Sequence, residues 1–220
     1  MSPLHITLLA AAAFALAGCS STGITPAGNT SESVSSDPVP APKPLKGEIK
    51  GNLYTAQDKS FSVMLPHKKE GLHEYANKQI KEELTEYGAY VSFGPAAFDE
   101  SIYRVEAVKD TVSGKKTNLD DIAPKLIEDY QTQLQKNYES APRKTESRQE
   151  TINGKKAFYW ELIQLVPAGK FASNKVVTIT HDVYIINFEK GAAIVWVLIP
   201  ETAKRTALES RIFAESVVMH

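Results

Sequence analysis

The chain has 220 residues, with 25 Lys and Arg against 26 Asp and Glu, a net charge of −1. This balance removes the basic footprint that nucleic acid requires and the polybasic cluster that anionic lipid attracts. The single cysteine excludes an internal disulfide.

The chain opens MSPLHITLLAAAAFALAGCSS. Ile6–Ala17 is apolar and is followed by small residues. A run of about a dozen residues falls short of the roughly 18–20 needed to span a bilayer and matches the apolar core of a secretory signal. Before it there is no Lys or Arg, only the amino terminus and His5. Leu16-Ala17-Gly18-Cys19 resembles the bacterial lipobox, which ends at the cysteine that is lipidated and becomes the mature first residue. The resemblance implies a signal peptide over residues 1–18 and acylation (palmitate) of Cys19, and it accounts for a lone cysteine in an exported chain. Each buried CH₂ contributes about 0.8 kcal/mol, so several acyl chains anchor stably where one is marginal. Ser20, not Asp, follows Cys19; under the sorting rule of that family this implies the outer membrane, with the domain facing the periplasm.

Residues 20–47 read SSTGITPAGNTSESVSSDPVPAPKPLKG, rich in Ser, Thr, Gly and Pro and without an aromatic residue. Such a segment cannot bury enough apolar surface to offset its ordering entropy, so a disordered tether is expected, stiffer through Pro38–Pro44. A flexible chain of this length spans about 30 Å. The expected division is therefore a signal peptide over 1–18, a lipidated cysteine and tether over 19–47, and one domain over 48–220.

Within the domain, Asn52–Thr55 and Phe61–Leu65 read as a strand pair around a polar turn. Lys68–Glu86 carries both helical and strand spacings and leans to an irregular or strand-like segment. Tyr87–Gly94 alternates, with Tyr87, Ala89, Val91 and Phe93 on one face, and Gly94-Pro95 stops it. Ser101–Lys109 is a further strand, with Tyr103, Val105 and Ala107 on one face and Arg104 and Glu106 on the other. Val112–Asn118 reads as a polar connection. Asp121–Tyr138 has a helical stripe of Ile122, Leu126, Ile127, Tyr130 and Leu134, with Asp120 or Asp121 as cap and Pro124 in the first turn. Glu146–Ile152 and Lys155–Val166 flank Asn153-Gly154, a strong two-residue hairpin signal because both residues tolerate positive φ. Lys175–Pro200 reads as two strands around Glu189-Lys190-Gly191, apolar on both phases near the turn. A strand apolar on both faces is covered on both faces, so this hairpin is the expected centre of the sheet. Glu201–Ala214 closes the chain as a helix, with Leu208, Ile212 and Phe213 on one side.

Strands, a helix, a four-strand meander and a helix argue for an α+β fold with a largely antiparallel sheet flanked by helices. Phe61-Ser62-Val63-Met64-Leu65-Pro66, the hairpin at Asn153-Gly154-Lys155-Lys156-Ala157 and the final strand and helix from Ile194 resemble the PsbP-like family. That family is named for an extrinsic subunit of photosystem II and is found in several small bacterial lipoproteins. The resemblance implies an α/β/α sandwich that serves in binding and assembly; His67–Glu100 does not match it.

Reactive constellations are scarce. His67 and His73 with Glu70 and Glu74 do not form a close metal-ligand set, and surface histidines are the simpler reading. His181 and Asp182 are adjacent on a strand, so they point to opposite faces and cannot form a dyad. No G-x-S-x-G elbow occurs, and lipidation leaves no thiol for a Cys–His pair. No catalytic residue, metal site or cofactor is therefore expected. Candidate partner contacts are the loop aromatics Phe98 and Phe171 and the pair Arg104 and Glu106, read either as a solvated cross-strand pair or as part of a polar groove. The expected function is a non-catalytic envelope lipoprotein that meets the bilayer through acylated Cys19 and an envelope protein partner. The alternatives are a carrier of an apolar ligand lined by Tyr130, Trp160 and Trp196, and after it a hydrolase.

Overall fold

The structure is a computed structural model and describes residues 47–66, 80–85, 88–94, 101–109, 111–112, 115–116, 119–168, 174–203 and 207–220. The chain divides into two units, Met1–Lys43 and Pro44–His220, and every described residue belongs to the second. The expected signal, Cys19, His67, His73, Phe98 and Phe171 lie outside the described residues.

In chain order the strands are β1 (Glu48–Lys50), β2 (Leu53–Thr55), β3 (Phe61–Met64), β4 (Ile80–Leu84), β5 (Ala89–Phe93), β6 (Ile102–Lys109), β7 (Thr111–Val112) and β8 (Lys115–Lys116). Helix α1 (Leu119–Tyr138) follows, then β9 (Arg143–Ile152), β10 (Lys155–Val166), β11 (Val177–Phe188), β12 (Gly191–Pro200), helix α2 (Ala207–Glu215) and β13 (Val218–Met219). Seven strands form the main sheet in the order β4-β5-β6-β12-β11-β10-β9, and every neighbouring pair is antiparallel. A second sheet runs β1-β2-β3-β13. The fold is α+β, with a largely antiparallel sheet flanked by helices.

The central hairpin is where its composition places it. β12 is the fourth of the seven strands and pairs with β11 from Phe188↔Gly191 to Ile179↔Pro200. Nine of its ten residues are buried, which requires cover on both faces. The β9–β10 turn is formed by Asn153 at φ 49° and Gly154 at φ 74°, the left-handed pair that a two-residue hairpin needs.

One face of the main sheet carries the apolar core. Val91, Phe93, Tyr103, Val105, Tyr184, Val195 and Val197 meet Tyr54, Phe61 and Val63 of the second sheet and Phe213, Ala214 and Val217 around α2. Phe213 joins the layers, with its ring 4.8 Å from that of Tyr103 and 6.0 Å from that of Phe93. This layer is therefore part sheet and part helix. Helix α1 covers the opposite face: its Tyr130 ring lies 6.0 Å from Trp196, and Gln164 donates to the carbonyls of Leu134 and Ser140.

Several local expectations change. Residues 111–116 include a short strand pair, β7–β8, where a polar connection is expected. Helix α1 begins at Leu119, so Asp120 is not its cap. Its carboxylate sits in the first turn, where the helix dipole favours it, and pairs with Lys156 at 2.6 Å. Pro124 consequently falls beyond the first turn. On α2 the buried face is Ser210, Phe213 and Ala214, continuing to Val217, whereas Leu208 and Ile212 are exposed at 65% and 53%. The i, i+3, i+4, i+7 set starting at Ser210 faces the core, and Leu208 and Ile212 lie on the stripe beside it. After α2 the chain adds β13 to the edge of β3.

Candidate functional site

The region richest in polar chemistry lies between the main sheet and α1. Strand alternation sends Tyr103, Val105 and Ala107 of β6 to the apolar core and Arg104 and Glu106 to the α1 side. Cross-strand pairing then sets their neighbours: Glu106 lies between Tyr90 and Ile194, and Arg104 between Ser92 and Trp196. His181 reaches the same face from β11, and Tyr130 and Tyr138 reach it from α1.

The expected solvated pair is thus corrected. Arg104 is only 9% exposed and Glu106 only 4%. A polar–apolar alternation on β6 does mark two faces, but the polar face is roofed by α1, whose own stripe brings tyrosines over it. Burial pushes the Glu106 carboxyl up from its usual 4.5 to about 7, and its Oε2 has no hydrogen-bond partner within the described residues. Burial also drives His181 down from 6.5 to about 3, with the positive charge of Arg104 acting in the same direction. His181 is therefore a neutral imidazole near pH 7. Its Nδ1 lies 3.0 Å from the Tyr130 hydroxyl, and its Nε2 has no partner within the described residues. Burial raises Tyr130 and Tyr90 above the usual tyrosine value, and Arg104 offsets part of both shifts.

Sequence alternation correctly separates His181 from Asp182. Asp182 faces the other layer, where it accepts from the Tyr159 hydroxyl at 2.8 Å. Burial raises its carboxyl, and the Ser210 and Tyr159 hydroxyls pull it back. Beside it the Arg148 guanidinium lies 4.0 Å from the centre of the Tyr159 ring. Glu150 accepts from Arg148 and from Arg211 of α2, each at 3.1 Å. A third polar junction ties β4 to the second sheet: Glu82 accepts from the Tyr54 hydroxyl and from the Gln57 backbone, both at 2.7 Å. Apart from the contacts of Arg148 with Glu150 and Tyr159, these partnerships are not visible from spacing, because each joins residues at least 23 positions apart.

The three aromatics expected to line a carrier pocket share the space between α1 and the main sheet, with Trp160 on β10 and Trp196 on β12. Tyr130 packs on Trp196 directly, and Trp160 instead stacks on Phe158 with centroids 5.7 Å apart. Val183 stands between Trp160 and Trp196 in the pairing. Among the described residues no group of three or more His, Cys, Asp or Glu side chains is placed to hold a metal ion, and no helix is long and apolar enough to cross a membrane.

No protein-family model matches the chain, and no curated protein matches it in sequence. The solved structures similar to it in part include two bacterial proteins. One is the cyanobacterial PsbP protein CyanoP of Synechocystis, 10% identical, with a TM-score of 0.46, covering 76% of this chain and 91% of that one. The other is a protein of Bacteroides thetaiotaomicron, 14% identical, with a TM-score of 0.45, covering 78% of this chain. This chain spans about half of the Bacteroides protein, 49% of its length.

Proposed function

We propose that the chain is a lipid-anchored envelope protein whose domain binds or assembles with a protein partner and catalyses no reaction. The observation that carries the non-catalytic part is the divergence of His181 and Asp182. This acid–base neighbour pair on a central strand is divided between opposite layers, with His181 beside Tyr130 and Asp182 accepting from Tyr159. His181 thus joins the main sheet to α1, whereas Asp182 bonds to the neighbouring strand β10 on the opposite face. The anchor rests on Leu16-Ala17-Gly18-Cys19, and the outer-membrane assignment on Ser20.

The test of the anchor is Cys19→Ser. Membrane attachment and acyl labelling should both be lost, because the attachment is covalent lipid on that residue. Normal membrane fractionation of the variant would overturn it. The binding role is tested separately, by in-cell photocrosslinking from the domain surface. A defined envelope protein should be captured by the wild-type chain, and an absence of any crosslinked partner would count against assembly.

A further inference from the structure

Among the described residues, β9 is a ten-residue strand whose outer edge carries no neighbour. Residues Arg143–Arg148 and Gln149 are exposed, so the whole middle of this edge faces solvent. Natural sheets protect such edges with bulges and unmatched charge. β9 has a bulge near Thr145, where its register to β10 shifts between Glu161 and Leu162. Beyond the bulge, Glu146–Ile152 is regular and has a different character.

The direction of its backbone groups follows from the turn. Ile152 and Lys155 close the two-residue loop, and such a closing pair exchanges both hydrogen bonds. Alternate residues then point the other way, so Ser147, Gln149 and Thr151 turn their N–H and C=O groups outward. Consistently, the Thr151 carbonyl accepts from the Arg211 side chain at 3.3 Å, and its second lone pair remains for another donor. The outward residues are neutral and hydrogen-bonding. The intervening residues are Glu146, Arg148 and Glu150, alternating in sign on the α2 side, with Arg148 already bonded to both glutamates of its own strand.

We propose that two copies of this chain pair edge to edge through β9, antiparallel and two-fold about Gln149. In this register Gln149 faces Gln149 of the second copy, Ser147 faces Thr151, and Arg148 faces Glu150. Outward groups meet outward groups, as an antiparallel ladder requires. Each Arg148 gains a third carboxylate, Glu150 of the second copy, so the ion-pair row of one strand continues into the next instead of meeting like charge. The regular stretch is used and the bulge at Thr145 is left outside the pairing. Moving the axis to Glu150 would oppose two glutamates, and moving it to Ser147 would bring the bulge into the ladder. The opposite edge of the sheet, β4, is five residues long, and its Glu82 is already held by Tyr54 and Gln57.

The register gives a direct test with the purified full-length chain in detergent, carrying Cys19→Ser so that one introduced cysteine is the only thiol. Directly opposed residues of a hydrogen-bonded pair have Cα atoms about 5.5 Å apart, within disulfide range. Gln149→Cys should form a dimer on mild oxidation. Glu146→Cys should not, because six residues at about 3.4 Å each put the two copies roughly 20 Å apart. Adding Arg148→Glu to Gln149→Cys sets like charges opposite twice and should slow crosslinking about tenfold. Adding Glu150→Arg as well should restore it, with far-UV circular dichroism confirming that each variant is folded. Crosslinking through Ser147→Cys in place of Gln149→Cys, or none through either, overturns the proposal. So does a doubly charge-swapped variant that stays as slow as the single one.

Discussion

Replacing Glu106 by Gln tests the buried polar layer most directly. A carboxyl moved from 4.5 to about 7 by burial binds its proton more tightly in the folded chain than in the unfolded one. Its contribution to stability is therefore fully present below about pH 4.5 and is lost as pH rises through about 7. At about 1.4 kcal/mol per pKa unit, the loss is about 3 kcal/mol by pH 8. The wild-type profile will hide much of this. His181, lowered from 6.5 to about 3, has the opposite slope: its contribution is present above 6.5 and is lost as pH falls towards 3. Between about pH 4.5 and 6.5 the two slopes cancel. The informative quantity is the difference between variant and wild type. Near pH 4 Gln replaces a neutral carboxyl of the same shape, so the difference is a constant offset. By pH 8 the variant should have gained about 3 kcal/mol over that offset, read from urea midpoints at the two pH values. Tyr90, Arg104, Tyr130, Tyr138 and His181 share the layer and are common to both proteins. If the difference is the same at both pH values, Glu106 is solvated and the roof over β6 is wrong.

Tyr130→Phe removes the hydroxyl 3.0 Å from His181 Nδ1 and leaves a fully buried ring nitrogen without it. The expected cost is about 1–3 kcal/mol in the urea midpoint. A loss below about 0.5 kcal/mol, the scatter of ordinary surface changes, would show that the contact does not matter to the fold. Gly88→Ala and Gly154→Ala should differ sharply. At Gly88 a Cβ would stand 2.5 Å from the Ala107 carbonyl oxygen with φ at +154°, whereas at Gly154, φ +74°, nothing lies within 4 Å. The first should cost about 3 kcal/mol or more and the second about 1 kcal/mol. Equal melting temperatures for the two variants would refute the close approach of the β4–β5 turn to β6.

The strands and turns of this protein are legible in its sequence because local chemistry decides them. β-Branched and aromatic residues suit β11 and β12, Asn153-Gly154 suits a two-residue turn, and strict alternation divides Tyr103, Val105 and Ala107 from Arg104 and Glu106. The opposed directions of His181 and Asp182 follow from the same period of two. What alternation cannot say is whether a polar face meets water or a roof, because both leave the same pattern on the strand. That depended on α1 crossing the sheet and bringing Tyr130 to His181 from 51 positions away. The facing of α2 was likewise set by its neighbours. Leu208 and Ile212 have the helical spacing of a core stripe, yet Ser210, Phe213 and Ala214 meet the sheet. β13 is too short to announce itself and exists because the free edge of β3 offers it hydrogen bonds. Periodicity is a property of one segment, whereas burial is a property of the pair of surfaces that meet, and only the tertiary structure brings those surfaces together.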